Sequence, residues 1–310
     1  MTNLQQQERF AKANTFKNLY RQIGDNISNL ERLRNQDYGD WKFEDYTHDK
    51  KTNFKAVVLK NDVTKEIAVF NIGTDFKNPK DILTNIKMAF GKPTGQMLKA
   101  NDYHKKIAKK YQPLGYKINS IGHSEGGSES QYVGINNLET DVYTINAYPI
   151  GRLKAAKESP NKGANIYNFR DQDDPVSKLG KSFGNDFIVP ISDDTKRKPF
   201  IFGYKEAHQV KNMGDINNAL TPVEYKKRKD SLGFLDNLDN VVLTGEDIGK
   251  MDRFTFSAYE PLINQLLKEG SVMPRTEADY RVALGDLIYV NGYTRSDGVQ
   301  VSGYYRRAAA

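Results

Sequence analysis

The 310-residue chain contains no cysteine, which excludes disulfides, thiolate metal sites and cysteine nucleophiles. Histidine is scarce as well, with four in the whole sequence, so any chemistry needing an imidazole has few candidates. No apolar run approaches the length of a membrane span. The opening MTNLQQQERFAKANTF has no apolar h-region. That predicts a chain without a secretory signal peptide, cytoplasmic in the cell that makes it unless a non-Sec route or a phage carries it out. No RNP, zinc-finger or helix-turn-helix signature occurs, so nucleic acid is not an expected partner.

What is present is a polar, basic chain with enough apolar residues, 38%, for a substantial core. The net charge is +7, with lysine-dense patches at Lys105-Lys106, Lys109-Lys110 and Lys226-Lys227-Arg228-Lys229. Such patches suit anionic partners such as phospholipid headgroups, or simply form solvated helix faces. Phe16, Leu19, Tyr20, Ile23, Ile27, Leu30 and Leu33 recur mostly at three- and four-residue steps, which predicts an amphipathic helix within the first 35 residues. FKAVVL (Phe54 to Leu59) and EIAVFNI (Glu66 to Ile72) read as strands around a polar Asn61-Asp62 turn. Helical patterns occupy about 79–90 and 96–111. YKINSI (Tyr116 to Ile121) is again strand-like, 125–137 helical, and VYTINAY (Val142 to Tyr148) and ANIYNF (Ala164 to Phe169) are further strands. Strands alternating with helices predict an α/β fold, a largely parallel sheet with helices on both faces.

Four regions follow from this texture: an N-terminal helical segment over 1–50 packing on the core, an α/β catalytic core over 51–220, a charged, helix-rich extension over 221–288, and a β-hairpin tail over 289–310. The tail holds two copies of V-x-G-Y-x-R, Val290 to Arg295 and Val301 to Arg306, with Asp297-Gly298 between them. Asp-Gly favours a tight hairpin turn because both residues tolerate positive φ.

The stretch NSIGHSEGGS, Asn119 to Ser128, places Ser124 between Gly122 and Gly126 where a predicted strand meets a predicted helix. In a nucleophile elbow the serine sits at such a turn, and small flanking residues let the backbone fold tightly beneath it. The helix N-terminus behind it offers N–H groups and the positive end of a dipole to a developing oxyanion. A serine nucleophile needs a histidine base and a carboxylate, in chain order serine, acid, histidine for this fold. His208 is the one histidine after Ser124. Asp171, Asp173 and Asp174, just beyond a predicted strand, are the candidate acids, of which two would be ordinary turn residues.

With these residues the chain resembles the class 3 lipases of the α/β-hydrolase fold, as a distant bacterial or phage-encoded member. Four stretches carry the resemblance, in order, across about residues 54–213. Ala68-Val-Phe-Asn-Ile-Gly-Thr-Asp75 is similar to the strand ending in R-G-T, followed by Asp81-Ile-Leu83 in the place of D-W-L. Ile121-Gly-His-Ser-Glu-Gly-Gly127 resembles G-H-S-L-G-G, Ile145-Asn-Ala-Tyr-Pro-Ile-Gly151 resembles F-G-x-P-x-x-G, and Asp173-Asp-Pro-Val176 resembles N-D-P-V. Two departures stand out: Ile72 in place of arginine and Glu125 in place of an apolar residue.

The resemblance singles out Asp174 as the acid, beside Ser124 as nucleophile and His208 as base. It implies an oxyanion hole from the backbone N–H groups of Thr74 and Glu125, with the Thr74 hydroxyl as a further donor. His123 is expected to pack and hydrogen-bond locally, and His48 and His104 to have no role. The chemistry requires no metal and no organic cofactor. A fatty acyl ester is the implied substrate, with phospholipase A-type activity placed ahead of triacylglycerol lipase because the basic surface favours anionic lipid. The apolar stretch from Pro79 to Gly95, carrying Phe90, is expected to be a lid or else an ordinary core helix. Two other readings stand beside this one: a non-catalytic structural or delivery protein on a hydrolase scaffold, and a soluble small-ester or thioester hydrolase.

Overall fold

A computed structural model of the chain describes residues 3–73, 92–160, 162–172, 174, 176–178, 181–189, 207–225, 241–245, 248, 267, 272–284, 286–294, 300–301 and 303–307. The chain divides into two units, Met1–Ala219 and Leu220–Ala310.

In the first unit seven strands form one sheet in sequential order: β1 (Trp41–Asp49), β2 (Phe54–Asn61), β3 (Glu66–Ile72), β4 (Lys117–His123), β5 (Asp141–Ile145), β6 (Ile166–Asp171) and β7 (Asn185–Val189). The first three are antiparallel neighbours, and β3 to β7 run parallel. β3 matches the expected strand residue for residue. Its EIAVFNI is buried from Ile67 to Ile72, the continuous apolar run of a strand covered on both faces. β1 and β7 escape the sequence reading for a physical reason. They are the two edge strands, and WKFEDYTHD and NDFIV carry the charges that blunt a sheet edge, at the expense of alternation.

Parallel strands joined in sequential order by right-handed crossovers leave their helices on one face. The long helix α3 (Gly95–Tyr111) and the helix α4 (Ser124–Asn136) are those crossovers, with α5 (Lys154–Lys157) short beside them. Ala100, Tyr103, Ile107 and Tyr111 of α3 and Val133 of α4 pack on Ala56, Val58, Ile67, Val69 and Ile118 of the sheet. The opposite face would stay bare without α1 (Asn3–Asn26). Phe10, Ala13, Phe16, Leu19, Tyr20 and Ile23 of that helix bury against Val57, Phe70, Ile121, Tyr143 and Phe169. Phe16 is fully buried and meets Trp41, Phe70 and Tyr143 edge-on at centroid distances of 5.7, 6.2 and 5.2 Å. Burying a ring of this size contributes about 2–3 kcal/mol. The expected amphipathic helix is in fact two: α1 ends past Gly24, and α2 (Leu30–Asn35) restarts behind Asn29, whose side chain caps the N–H of Arg32 at 3.0 Å.

The second unit has its own four-stranded sheet, ordered β10 (Leu287–Val290), β13 (Tyr304–Arg307), β8 (Val241–Thr244) and β9 (Val272–Met273), with β11 (Tyr293–Thr294) and β12 (Gln300–Val301) paired beyond it. Met273, Ala278, Leu287 and Tyr305 form its core with α6 (Arg275–Leu284). The expected hairpin is present, and its two repeats lie against each other: Val290 opposes Tyr304 and Tyr293 opposes Val301. It begins at Leu287, and it is no tail appended to the main domain, because β13 also pairs with β8. β8 and β9, with four and two residues, are too short to show a period in a region read as helix-rich. Asp297 and Gly298 lie outside the described residues. The first unit, with its largely parallel sheet flanked by helices and its strand–serine–helix turn, is an α/β-hydrolase fold, as the sequence leads one to expect.

Candidate active site

The carboxyl ends of β3, β4, β5 and β6 bring together Gly73, Ser124, Asn146 and Asp174, at the edge where open α/β sheets bind ligands. Ser124 is the first residue of α4 and holds φ at 55°, a left-handed value unusual for any residue with a side chain. The tightness of the turn explains its glycines. A Cβ on Gly122 would lie 2.1 Å from the Gly126 carbonyl oxygen, and one on Gly126 would lie 2.2 Å from the Asn71 carbonyl oxygen. His123 offers no side-chain cap to the helix behind it, and the first turn of that helix carries the positive end of its dipole.

His208 Nε2 lies 2.8 Å from Ser124 Oγ, and His208 Nδ1 lies 2.9 Å from Asp174 Oδ1. The structure therefore brings all three of these residues into one line from chain positions up to 84 residues apart. Asp174 is fully buried. Its Oδ1 accepts the Val176 N–H at 3.1 Å and its Oδ2 accepts the Ser177 N–H at 3.0 Å. Two main-chain donors thus stabilise the carboxylate and fix its direction toward the imidazole. The other aspartates differ. Asp171 is the last residue of β6 and fully buried, not an exposed turn residue, and Asp173 lies outside the described residues.

Of the oxyanion pair, Glu125 occupies the first turn of α4 directly after Ser124. Gly73 brings the end of β3 against the elbow: a Cβ there would lie 2.9 Å from the Gly126 nitrogen. Thr74 is outside the described residues, as are 79–91, including Phe90. From Lys92 the chain is described again, and Thr94 caps α3 by accepting the Met97 N–H at 3.2 Å.

Three polar side chains, the part-buried His123 and the fully buried Asn146 and Glu129, complete the surroundings. His123 Nε2 lies 2.6 Å from the His208 carbonyl oxygen, 85 residues away, instead of bonding within its own neighbourhood. Its ring centroid is 4.8 Å from that of His208. Burial, and then the proximity of His208, pushes the His123 pKa down to about 3, so its ring is neutral. Asn146 is fully buried with φ at 46°. Its amide nitrogen donates to the carbonyls of Ala207 at 3.0 Å and His208 at 3.2 Å, and its oxygen accepts the Asp171 N–H at 2.7 Å. Sequence reading passed over it as one letter of a loop motif; the signal was a buried-type asparagine directly after a strand, which alone does not name its partners. Glu129, one turn beyond Glu125, is fully buried, and neither carboxylate oxygen has a hydrogen-bond partner among the described residues. Burial, and then the charge of Glu125, raises its pKa well above the usual carboxylate range.

Among the described residues no group of three or more His, Asp or Glu side chains is placed to hold a metal ion. His104 bonds Thr140 Oγ1 at 2.8 Å and His48 bonds Asn53 at 3.3 Å, so neither of these bonds is to Ser124, Asp174 or His208.

No family model matches the sequence, and no curated protein matches it. Among solved structures the chain is similar to the lipase of Rhizopus microsporus var. chinensis, at 14% identity over 70% of this chain and 86% of that one, with a TM-score of 0.41. It is similar also to the triacylglyceride lipase of Rhizomucor miehei, at 15% identity over 61% and 82% with a TM-score of 0.41. A triacylglycerol lipase of Penicillium expansum aligns at 17% identity over 48% and 70%, with a TM-score of 0.38.

Proposed function

We propose that the protein is a serine-dependent carboxylic ester hydrolase acting on lipids through an acyl-enzyme, with phospholipase A-type cleavage as the favoured activity and triacylglycerol hydrolysis next. One observation carries the reading. A serine on a strained strand-to-helix turn lies 2.8 Å from an imidazole whose far nitrogen lies 2.9 Å from a buried, hydrogen-bonded carboxylate. A binding module has no use for this alignment, and the strain at Ser124 costs stability with no structural return.

The steps follow from the geometry. His208 Nε2 takes the proton of Ser124 Oγ as the oxygen attacks the ester carbonyl, while Nδ1–H donates to Asp174 and the carboxylate steadies the imidazolium. The carbonyl oxygen becomes an oxyanion, held by the Glu125 N–H; Thr74, the second donor that the sequence motif implies, lies outside the described residues. The imidazolium then protonates the leaving alcohol, the C–O bond breaks and the acyl group stays on Ser124. Water, deprotonated by His208, attacks the acyl carbonyl; the acyl C–Oγ bond then breaks, the imidazolium returns its proton to Ser124 Oγ and the fatty acid leaves. Side chains, backbone and water supply every proton and electron pair.

The test is labelling by a fluorophosphonate, which requires an activated serine, followed by product analysis on phosphatidylglycerol vesicles. Wild-type protein should label, Ser124→Ala should not, and the vesicles should yield fatty acid and lysolipid. On ester substrate Ser124→Ala should lose on the order of 10³-fold or more in kcat. Equal labelling of the two proteins overturns the serine mechanism. Labelling without lipid products, beside turnover of short soluble esters, replaces lipid by a small-ester substrate.

A further inference from the structure

We propose that His123 and Asn146 are positioning residues that hold His208 by its main-chain carbonyl and thereby tie the three members of the triad to one another. The proposal rests on the hydrolase reading and adds to it which side chains keep the base in place.

Two side-chain hydrogen bonds set the rotation of the His208 ring, but they do not fix where its backbone sits. Among the described residues that backbone is helical at 207–208, is followed by the 3-10 turn Val210–Asn212, and belongs to no strand. Its carbonyl receives two donors, His123 Nε2 at 2.6 Å and Asn146 Nδ2 at 3.2 Å, and the preceding carbonyl of Ala207 receives Asn146 as well, at 3.0 Å. Both lone pairs of the His208 carbonyl are thus used by side chains from the ends of two different strands.

Each donor is bound to another member of the triad. His123 is the residue before Ser124. Asn146 accepts the Asp171 N–H at 2.7 Å, and the Asp171 carbonyl in turn accepts the Asp174 N–H at 3.2 Å. Nucleophile, base and acid are therefore joined, apart from the triad contacts themselves, by a chain that runs from Ser124 through His123, the His208 carbonyl, Asn146 and Asp171 to Asp174. A shift of the base segment away from Ser124 breaks this path in two places.

Chemistry fixes the roles within the clamp. A carbonyl only accepts, so His123 must carry its proton on Nε2, and the neutral ring that its burial enforces leaves Nδ1 bare. A cationic His123 would face the His208 imidazolium across 4.8 Å and oppose the proton transfer. Asn146 sits at a φ of 46° that glycine adopts without strain. The Asn146 side-chain amide instead hydrogen-bonds the base segment through Ala207 and His208, and Asp171.

The experiment compares Asn146→Gly, His123→Phe and His123→Gln with wild type, by kcat and KM on a soluble ester, fluorophosphonate labelling rate and thermal melting. Asn146→Gly should fold and lose at least about tenfold in kcat with KM unchanged, since a base out of line slows chemistry and not binding. His123→Phe, which keeps a ring and loses the donor, should fall likewise, and His123→Gln, whose amide nitrogen reaches the same carbonyl, should recover a large part of the loss. If Asn146 serves only the backbone turn, glycine will match or exceed wild type in both kcat and melting temperature, and the proposal fails. It fails equally if folded His123→Phe keeps wild-type kcat, or if His123→Gln is no better than His123→Phe. Wild-type protein that neither labels nor turns over esters would sink the hydrolase reading by itself. The low-field ring N–H proton of His208, seen by NMR, then decides the clamp separately: exchange-broadened in Asn146→Gly if the carbonyl anchor matters, unchanged if it does not.

Discussion

Ser124 shows how much the chemistry of one position weighs against its stability. Its φ of 55° is a conformation that costs a residue with a Cβ on the order of 1 kcal/mol or more. Ser124→Gly should therefore melt at a higher temperature than Ser124→Ala, although on the proposed serine mechanism both should be inactive; equal melting temperatures would mean the turn stores no strain. Asp174 invites a second substitution. Both of its oxygens face N–H donors from Val176, Ser177 and His208, so Asp174→Asn must turn its own NH2 toward one of them. A loss of about 10⁴-fold in kcat is expected, by analogy with amide-for-carboxylate changes in triads. A fall of less than tenfold would move the acid elsewhere. Sequence narrowed the acid to three neighbouring aspartates. The motif resemblance singles out Asp174, and the contact with His208 that separates it from the equally buried Asp171 is invisible in the letters Asp-Gln-Asp-Asp.

At the scale of an element, α3 carries a built-in acid sensitivity. His104 lies on its buried face with Ala100, Tyr103 and Ile107, and burial lowers its pKa to about 4. The folded state thus binds a proton less readily than the unfolded chain, whose histidine titrates near about 6.5. Stability is full above the unfolded value, declines as pH falls through it, and stops declining below the folded value of about 4. At pH 5 the loss from this one group is about 2 kcal/mol. His104→Gln, which keeps a polar group for Thr140, should flatten the dependence: its urea midpoint should change less than that of wild type between pH 7 and pH 5. An identical pH response in the two proteins would remove His104 from the account. The helix itself was legible because its apolar residues recur at helical spacing, whereas the edge strand β1 was not. Its burial alternates poorly, its pairing slips between Phe43 and Asp45, and it owes its existence to β2.

At the scale of the molecule, charge is arranged along the sheet direction. A crossover helix runs antiparallel to its strands, so the exposed lysines of α3, Lys105, Lys106, Lys109 and Lys110, lie toward the amino end of β4, opposite the edge that holds Ser124. Lys178 and Lys211, four and three residues beyond Asp174 and His208, are exposed near the site itself. A lipid surface presented to the site would meet these two before the lysines of α3. Each contributes about 1 kcal/mol near an anionic bilayer at low salt. Hydrolysis of phosphatidylglycerol vesicles should fall with added salt and in Lys178→Glu combined with Lys211→Glu, while turnover of a soluble ester stays near wild type. Replacing the four α3 lysines by glutamine should leave both assays nearly unchanged. The reverse pattern would put the lipid-facing surface on α3, and equal losses on both substrates would make the protein a soluble esterase.

The sequence by itself determined the local conformations that depend on spacing and on glycine: β3, α3, the elbow with its two obligatory glycines, and the facing repeats of the terminal hairpin. These are properties of short windows, where periodicity and steric exclusion act within a few residues. Tertiary structure decided what depends on distant partners. It placed α1 on the face that sequential crossovers leave bare, set the charged edge strands in the sheet, drew the hairpin into a four-stranded sheet through β8, and turned His123 toward a carbonyl 85 residues away. The same holds for Asn146, whose amide is satisfied only once β5, β6 and the base segment converge. A hydrogen bond between remote residues leaves no period in the chain, because its energy depends on where the backbone has already been brought.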